Sequence, residues 1–229
     1  MKQLWKVLVA LAALGAVSIL ADTVAYTDPA NQGNQAFPGN VALDFQVLSP
    51  TTVTALGAFN AVGNGLITGN IQVAIFDNTT HLEVTPVVTF HGSYVPAGLG
   101  FDVFQAIAPV ILPPGSYQVD AVGFGAADLI GNINFGGSGP LLNGGGKLAF
   151  TDASFDQTTG SLDNPQTCLG CAFQPKVVSQ FSAGTFEFIG EPTGVPEPSP
   201  YLPLMVVTAG VGFAAIIRRS RRLRHRSDG

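Results

Sequence analysis

Residues Asn70–Asp77 read NIQVAIFD, and the alternation inside them decides the fold. Ile71, Val73 and Ile75 fall on one face. An apolar residue at every second position is the period of a half-buried strand; a helix repeats its apolar face every three or four residues. The same period recurs to the N-terminal side. VALDFQVL (Val41–Leu48) puts Val41, Leu43, Phe45 and Val47 on one face and Ala42, Asp44, Gln46 and Leu48 on the other. Ser49-Pro50 ends that run, and TVTALGAF (Thr52–Phe59) supplies a second strand, β-branched at its start. Between it and Asn70, NAVGNGLITG (Asn60–Gly69) carries an Asn-Gly pair and reads as a loop.

To the C-terminal side, Asn78-Thr79-Thr80-His81 turns into EVTPVVTF (Glu83–Phe90). Pro86 cannot donate to a ladder, so this run belongs at an edge or a bulge. FDVFQAIAPVIL (Phe101–Leu112) continues the pattern, Pro113-Pro114-Gly115 turns the chain, and SYQVDAVGF (Ser116–Phe124) returns it. FSAGTFEFIG (Phe181–Gly190), with Phe186 and Phe188 on one face, reads as the closing strand. The polar stretch Tyr26–Asn40 reads as an arm or first loop, the glycine-dense Gly131–Phe150 as a long loop, and Asn164–Lys176 as another. No helical period and no fixed repeat interrupts this series. Short strands at roughly ten-residue spacing predict a mainly β fold. The expected body is a single antiparallel β-sandwich of jelly-roll type over residues 26–190.

Composition agrees. The chain has 229 residues, 28 glycines and 16 phenylalanines, and only 11% of its residues are charged. A disordered chain would be charge-rich and aromatic-poor. Between Asp22 and Val195 the only bases are Lys147 and Lys176, against thirteen acids. Binding nucleic acid requires a basic footprint that displaces counterions from phosphate. That partner is therefore excluded for the body.

The two ends carry separate messages. Lys2 and Lys6 precede an apolar run from Val7 to Leu20, and small residues follow. This is the pattern of a secretory signal peptide over residues 1–25, with Ala21 and Ala25 each fitting the last position before cleavage. At the other end, residues 191–200 form a proline-rich linker containing Val195, Pro196, Glu197 and Pro198. Tyr201–Ile217 is uncharged and apolar, about the minimum length for a membrane-spanning helix. Arg218, Arg219, Arg221, Arg222, Arg224 and Arg226 follow in the basic tail 218–229. Such a cluster stays in the cytoplasm, which leaves the body outside.

Motif, short span and basic tail in this order resemble the PEP-CTERM sorting signal of Gram-negative bacteria, also called the ice-binding protein C-terminal domain. The resemblance implies that a membrane protease, exosortase, reads the tail and processes the chain near the Pro-Glu-Pro motif. It implies a secreted or surface-associated protein in a bacterium that makes exopolysaccharide. Thr52–Phe59, Val73–Asp77 and Leu112–Tyr117 also resemble bodies found on other exported, anchored bacterial proteins. That likeness implies a sandwich of the kind seen in carbohydrate-binding modules, without catalysis.

No catalytic residue and no metal ligand is marked out. The two cysteines, Cys168 and Cys171, lack the second pair a zinc site needs and lie in a proline-flanked loop, so a local disulfide is expected. His81 and His91 read as surface histidines, and His225 lies in the basic tail. Asp77-Asn78-Thr79-Thr80, Asp152, Asp156 and Asp163 offer oxygens of the kind that bind Ca²⁺, but the Asp152–Asp156 spacing is not that of an EF-hand loop, and Asx-turns are the better account of these residues. Three readings of function follow: a non-enzymatic surface or matrix protein binding polysaccharide, with Tyr94, Tyr117 or Phe155 stacking on sugar rings; an extracellular polysaccharide hydrolase; and a structural coat protein without a defined ligand.

Overall fold

The alternating runs become the strands of two antiparallel sheets in the computed structural model, which describes residues 22–27, 33–96, 101–136, 139–157, 160–165 and 180–190. All of these fall within the unit Met1–Glu191. Residues 1–21, the cysteine pair, the Val195–Pro198 motif, the apolar Tyr201–Ile217 and the arginine tail lie outside the described residues. Among the described residues no helix is long and apolar enough to cross a membrane.

In chain order the strands are β1 (Asp22–Val24), β2 (Tyr26–Thr27), β3 (Val41–Val47), β4 (Thr51–Phe59), β5 (Leu66–Asp77), β6 (Val88–Ser93), β7 (Asp102–Leu112), β8 (Gly115–Val122), β9 (Gly131–Asn132), β10 (Leu141–Leu142), β11 (Leu148–Phe155), β12 (Phe181–Ser182) and β13 (Gly184–Ile189). One sheet runs β1-β13-β4-β7 and the other β11-β3-β8-β5-β6. Two small ribbons, β10-β2 and β12-β9, complete the pairing.

Both sheets feed one core. The faces read from sequence are the faces that are buried: Val41, Leu43, Phe45 and Val47 of β3, Ile71, Val73 and Ile75 of β5, and Phe186 and Phe188 of β13 all join the same cluster. Phe45 meets Phe186 at 5.0 Å between ring centroids, and Tyr117 stacks on Phe45 from the neighbouring strand at 5.9 Å. Each such side chain contributes about 1.5–3 kcal/mol by leaving water. The approach is close at Gly184, where an added Cβ would lie 3.0 Å from the Ala121 methyl and 3.2 Å from Val73 Cγ1. A residue without a side chain lets β13 lie against the five-stranded sheet there.

Three segments differ from the sequence expectation. Leu66–Gly69, read as loop, is the first part of β5, and the ladder to β6 slips between Ile67 and Ile71. The long loop expected over Gly131–Phe150 contains β9, β10 and the start of β11. β11 then pairs along the whole of β3, with a bulge between Phe150 and Asp152 that breaks the alternation in the sequence. The arm Tyr26–Asn40 includes β2 and a bridge from Gln35 to Ile130. Pro86 precedes β6, which is the edge strand of its sheet. Just before that proline the Thr85 hydroxyl accepts the Ile75 N–H at 2.9 Å, replacing a backbone partner.

Candidate functional site: a polar cleft on the five-stranded sheet

The second face of β3 and β8 carries what the core cannot use. Asp44 of β3 lies opposite Gln118 of β8 on one side and Asp152 of β11 on the other. These three, with Asn78, Thr151, Ser154 and Pro165, line a cleft of about 280 Å³. The bulge in β11 explains why Thr151 and Asp152, consecutive residues that a regular strand would send to opposite faces, both line it.

Asp44 is the hub. Its Oδ1 accepts from Gln118 Nε2 at 2.9 Å and from Asn78 Nδ2 at 3.1 Å, and its Oδ2 accepts from Ser154 Oγ at 2.8 Å. Gln118 Nε2 also donates to the Pro165 carbonyl at 3.0 Å, while its Oε1 accepts from Asn164 Nδ2 at 3.0 Å. The same Asn164 amide donates to Asn78 Oδ1 at 3.0 Å. With Nδ2 committed to acceptors, Asn164 Oδ1 faces His81 Nδ1 at 2.8 Å, so that ring nitrogen is the donor. The amide chain thus fastens residues 164–165 to the sheet beside the cleft.

His81 has a φ of +59°, the left-handed region. The turn leading into it is fixed by Asp77, whose Oδ1 accepts the N–H groups of Thr79 at 2.7 Å and Thr80 at 3.0 Å. The Thr80 N–H is the largest influence holding the Asp77 carboxyl below the usual carboxylate range. Asp77 is therefore occupied as an Asx-turn acceptor.

A second polar cluster lies one register step away. Asp120 pairs with Ala42 in the ladder and is 0% exposed. Its Oδ2 accepts the Asp163 N–H at 3.4 Å, and its Oδ1 has no hydrogen-bond partner. Burial drives its carboxyl well above the usual range, the nearby Asp156 and Asp163 charges add to that, and the N–H groups of Asp163 and Ala121 oppose it. Asn40 ties the cluster together: its Oδ1 accepts the Asp163 N–H at 3.1 Å, and its Nδ2 donates to the Ser161 carbonyl at 3.2 Å and to Asp156 Oδ1 at 3.4 Å. Asp120 does not line the cleft. Its sealed position gives a substrate in the cleft no route to its carboxyl.

No protein-family model matches this chain, and neither does any curated protein.

The structure separates the acids that sequence placed together. Asp156 and Asp163 gather at Asp120, whereas Asp152 lies beside Asp44. Among the described residues no three His, Cys, Asp or Glu side chains are grouped to hold a metal ion. His91 Nδ1 is bonded to the Gly69 carbonyl at 2.8 Å, so the two body histidines have separate partners. The three aromatics expected to stack on sugars are otherwise engaged. Tyr117 is only 3% exposed, packed on Phe45 with its hydroxyl donating to the Pro113 carbonyl at 3.0 Å. Phe155 is half-buried, edge-on to Phe37 and Phe181. The half-buried Tyr94 packs on Phe90, and its hydroxyl accepts the His91 N–H at 3.0 Å. The core thus takes Tyr117, while Tyr94 and Phe155 are packed half-buried against its edge.

Sequence reasoning missed Asp44, Gln118, Asn164 and Asp120. The signal available was weak: polar residues at alternate positions of strands whose other face is apolar are normally just solvated. Only the ladder β11-β3-β8 and the return of 160–165 over it bring them together.

Proposed function

We propose that the chain is an exported, non-enzymatic protein carrying a PEP-CTERM-type sorting tail, with a body that contacts extracellular polysaccharide. The observation that carries the sorting reading is the ordered tail: Val195-Pro196-Glu197-Pro198, then the uncharged Tyr201–Ile217, then six arginines. A signal peptide delivers the N-terminus, the apolar span stops as a transmembrane helix in the inner membrane, and exosortase is the partner that reads the address. The body is a β-sandwich of jelly-roll type, a reading supported by two antiparallel sheets contributing to one core.

Contact with polysaccharide is supported by the cleft. Its lining is carboxylate, amide and hydroxyl, the groups that hydrogen-bond sugar hydroxyls. The non-enzymatic reading is supported by the sealed position of Asp120, which keeps that perturbed, buried carboxyl away from the cleft. A structural coat role is the second reading, favoured by the mutual saturation of Asp44, Gln118 and Asn164. Fractionation tests the sorting claim: the full chain is expected with membranes, and a chain lacking Val195–Gly229 in the periplasm or medium. A truncated chain that stays membrane-bound would end the anchor assignment.

A further inference from the structure

We propose that the signal peptide is removed between Ala21 and Asp22, and not after Ala25, so that Asp22 is the first residue of the mature body. This rests on the export reading above. The small-residue rule alone points the other way, since the residue two before Ala21 is Ile19 and the residue two before Ala25 is Thr23. What favours Ala21 is the use the mature fold makes of residues 22–26, which only a chain cut there retains.

Asp22, Thr23 and Val24 form β1 and pair with Ile189, Phe188 and Glu187 of β13. Ala25 continues the connection: its N–H donates to the Phe186 carbonyl at 2.9 Å, and its carbonyl accepts the Asn143 N–H at 2.8 Å. Ala25 is 0% exposed and Tyr26 1%. The Tyr26 hydroxyl donates to the Gly184 carbonyl and accepts the Ala183 N–H at 3.4 Å, while Thr185 Oγ1 donates to the Tyr26 carbonyl at 2.9 Å. Cutting after Ala25 would strip β1 from the sheet and leave the outer edge of β13 unpaired. It would also create an α-ammonium on a buried residue, where a charge is costly.

Cutting after Ala21 has neither consequence. Water adds across the Ala21–Asp22 peptide bond, leaving a carboxylate on Ala21 and an α-ammonium on Asp22. Asp22 is exposed, so the new charge stays solvated. The ammonium also lies at the end of the sheet where two acids crowd: burial first, and then the Asp22 charge, push the Glu187 carboxyl up. A positive N-terminus there relieves that repulsion. Peptidase acts on the extended chain before folding, so both bonds are accessible to it. Only the first yields a product that retains its edge strand.

Intact mass and N-terminal peptide mapping of the full chain, expressed in a Gram-negative host and taken from the envelope, test this directly. A mature chain beginning at Asp22 is the expected result. A chain beginning at Tyr26 overturns the proposal while leaving export standing, and a chain still beginning at Met1 overturns both. As a second arm, Ala21→Glu is expected to abolish the Asp22 terminus, whereas Ala25→Glu leaves the cut in place. An Ala21→Glu chain processed like wild type would also overturn it. Processing precedes folding, so a folding defect in either variant does not obscure the readout.

Discussion

Asp120→Asn should stabilise the body, and the gain should depend on pH. In the fold the Asp120 carboxyl is pushed well above its ordinary range by burial and then by Asp156 and Asp163. In the unfolded chain it ionises near about pH 3.9. Between that value and the raised folded value, the folded state holds a proton that the unfolded state has lost. Stability therefore falls as pH rises through this window, by up to about 1.4 kcal/mol per pH unit for one proton. Asparagine has no such proton, keeps the shape and accepts from the Asp163 N–H. At about pH 4 the variant and wild type should melt within a degree or two of each other. At pH 7 the variant should melt higher, by about 2–4 °C for each kcal/mol gained in a chain of this size. Thermal melts by circular dichroism at the two pH values measure the gap. A variant that melts lower at pH 7, or a gap independent of pH, would refute the reasoning. A loss in the variant matched by a loss in wild type on chelation would mean that a cation uses this carboxylate.

Phe186→Ala removes the ring seated between Phe45 and Phe188, at 5.0 and 5.9 Å. Urea unfolding should show a loss of about 3–5 kcal/mol. Gly123 adopts a φ of +100°, and an added Cβ would lie 2.1 Å from the Asn70 carbonyl oxygen. Gly123→Ala should therefore lower the melting temperature at every pH, whereas Gly125→Ala, with open space around it, should not. Asp44→Ala leaves Gln118, Asn78 and Ser154 without their shared acceptor. Polysaccharide retention in a pull-down should drop at least tenfold, while Ser93→Ala on the far edge strand should retain binding.

The strands whose alternation is clean were legible, down to which residues face inward at Val41–Val47 and Ile71–Ile75. Alternation reports a face without reporting a neighbour. β11 was missed because its bulge at Phe150–Asp152 spoils the period and its flanks are glycine-rich. The N-terminal part of β5 was missed because Asn64-Gly65 and Gly69 outweighed Leu66 and Ile67 as a local signal.

The polar site is less legible still. Asp44 and Gln118 are separated by 74 residues, and Gln118 and Asn164 by 46. No local pattern encodes those meetings. The aromatic residues misled for a related reason: Tyr117 has the composition of a sugar platform, yet its strand register puts it against Phe45.

The export-and-anchor reading is tested most directly by an epitope tag placed after Gly229 in spheroplasts treated with external protease. The body should be digested while the tag, held inside by Arg218 and the arginines after it, survives until the membrane is permeabilised. Loss of the tag together with the body in intact spheroplasts would contradict it.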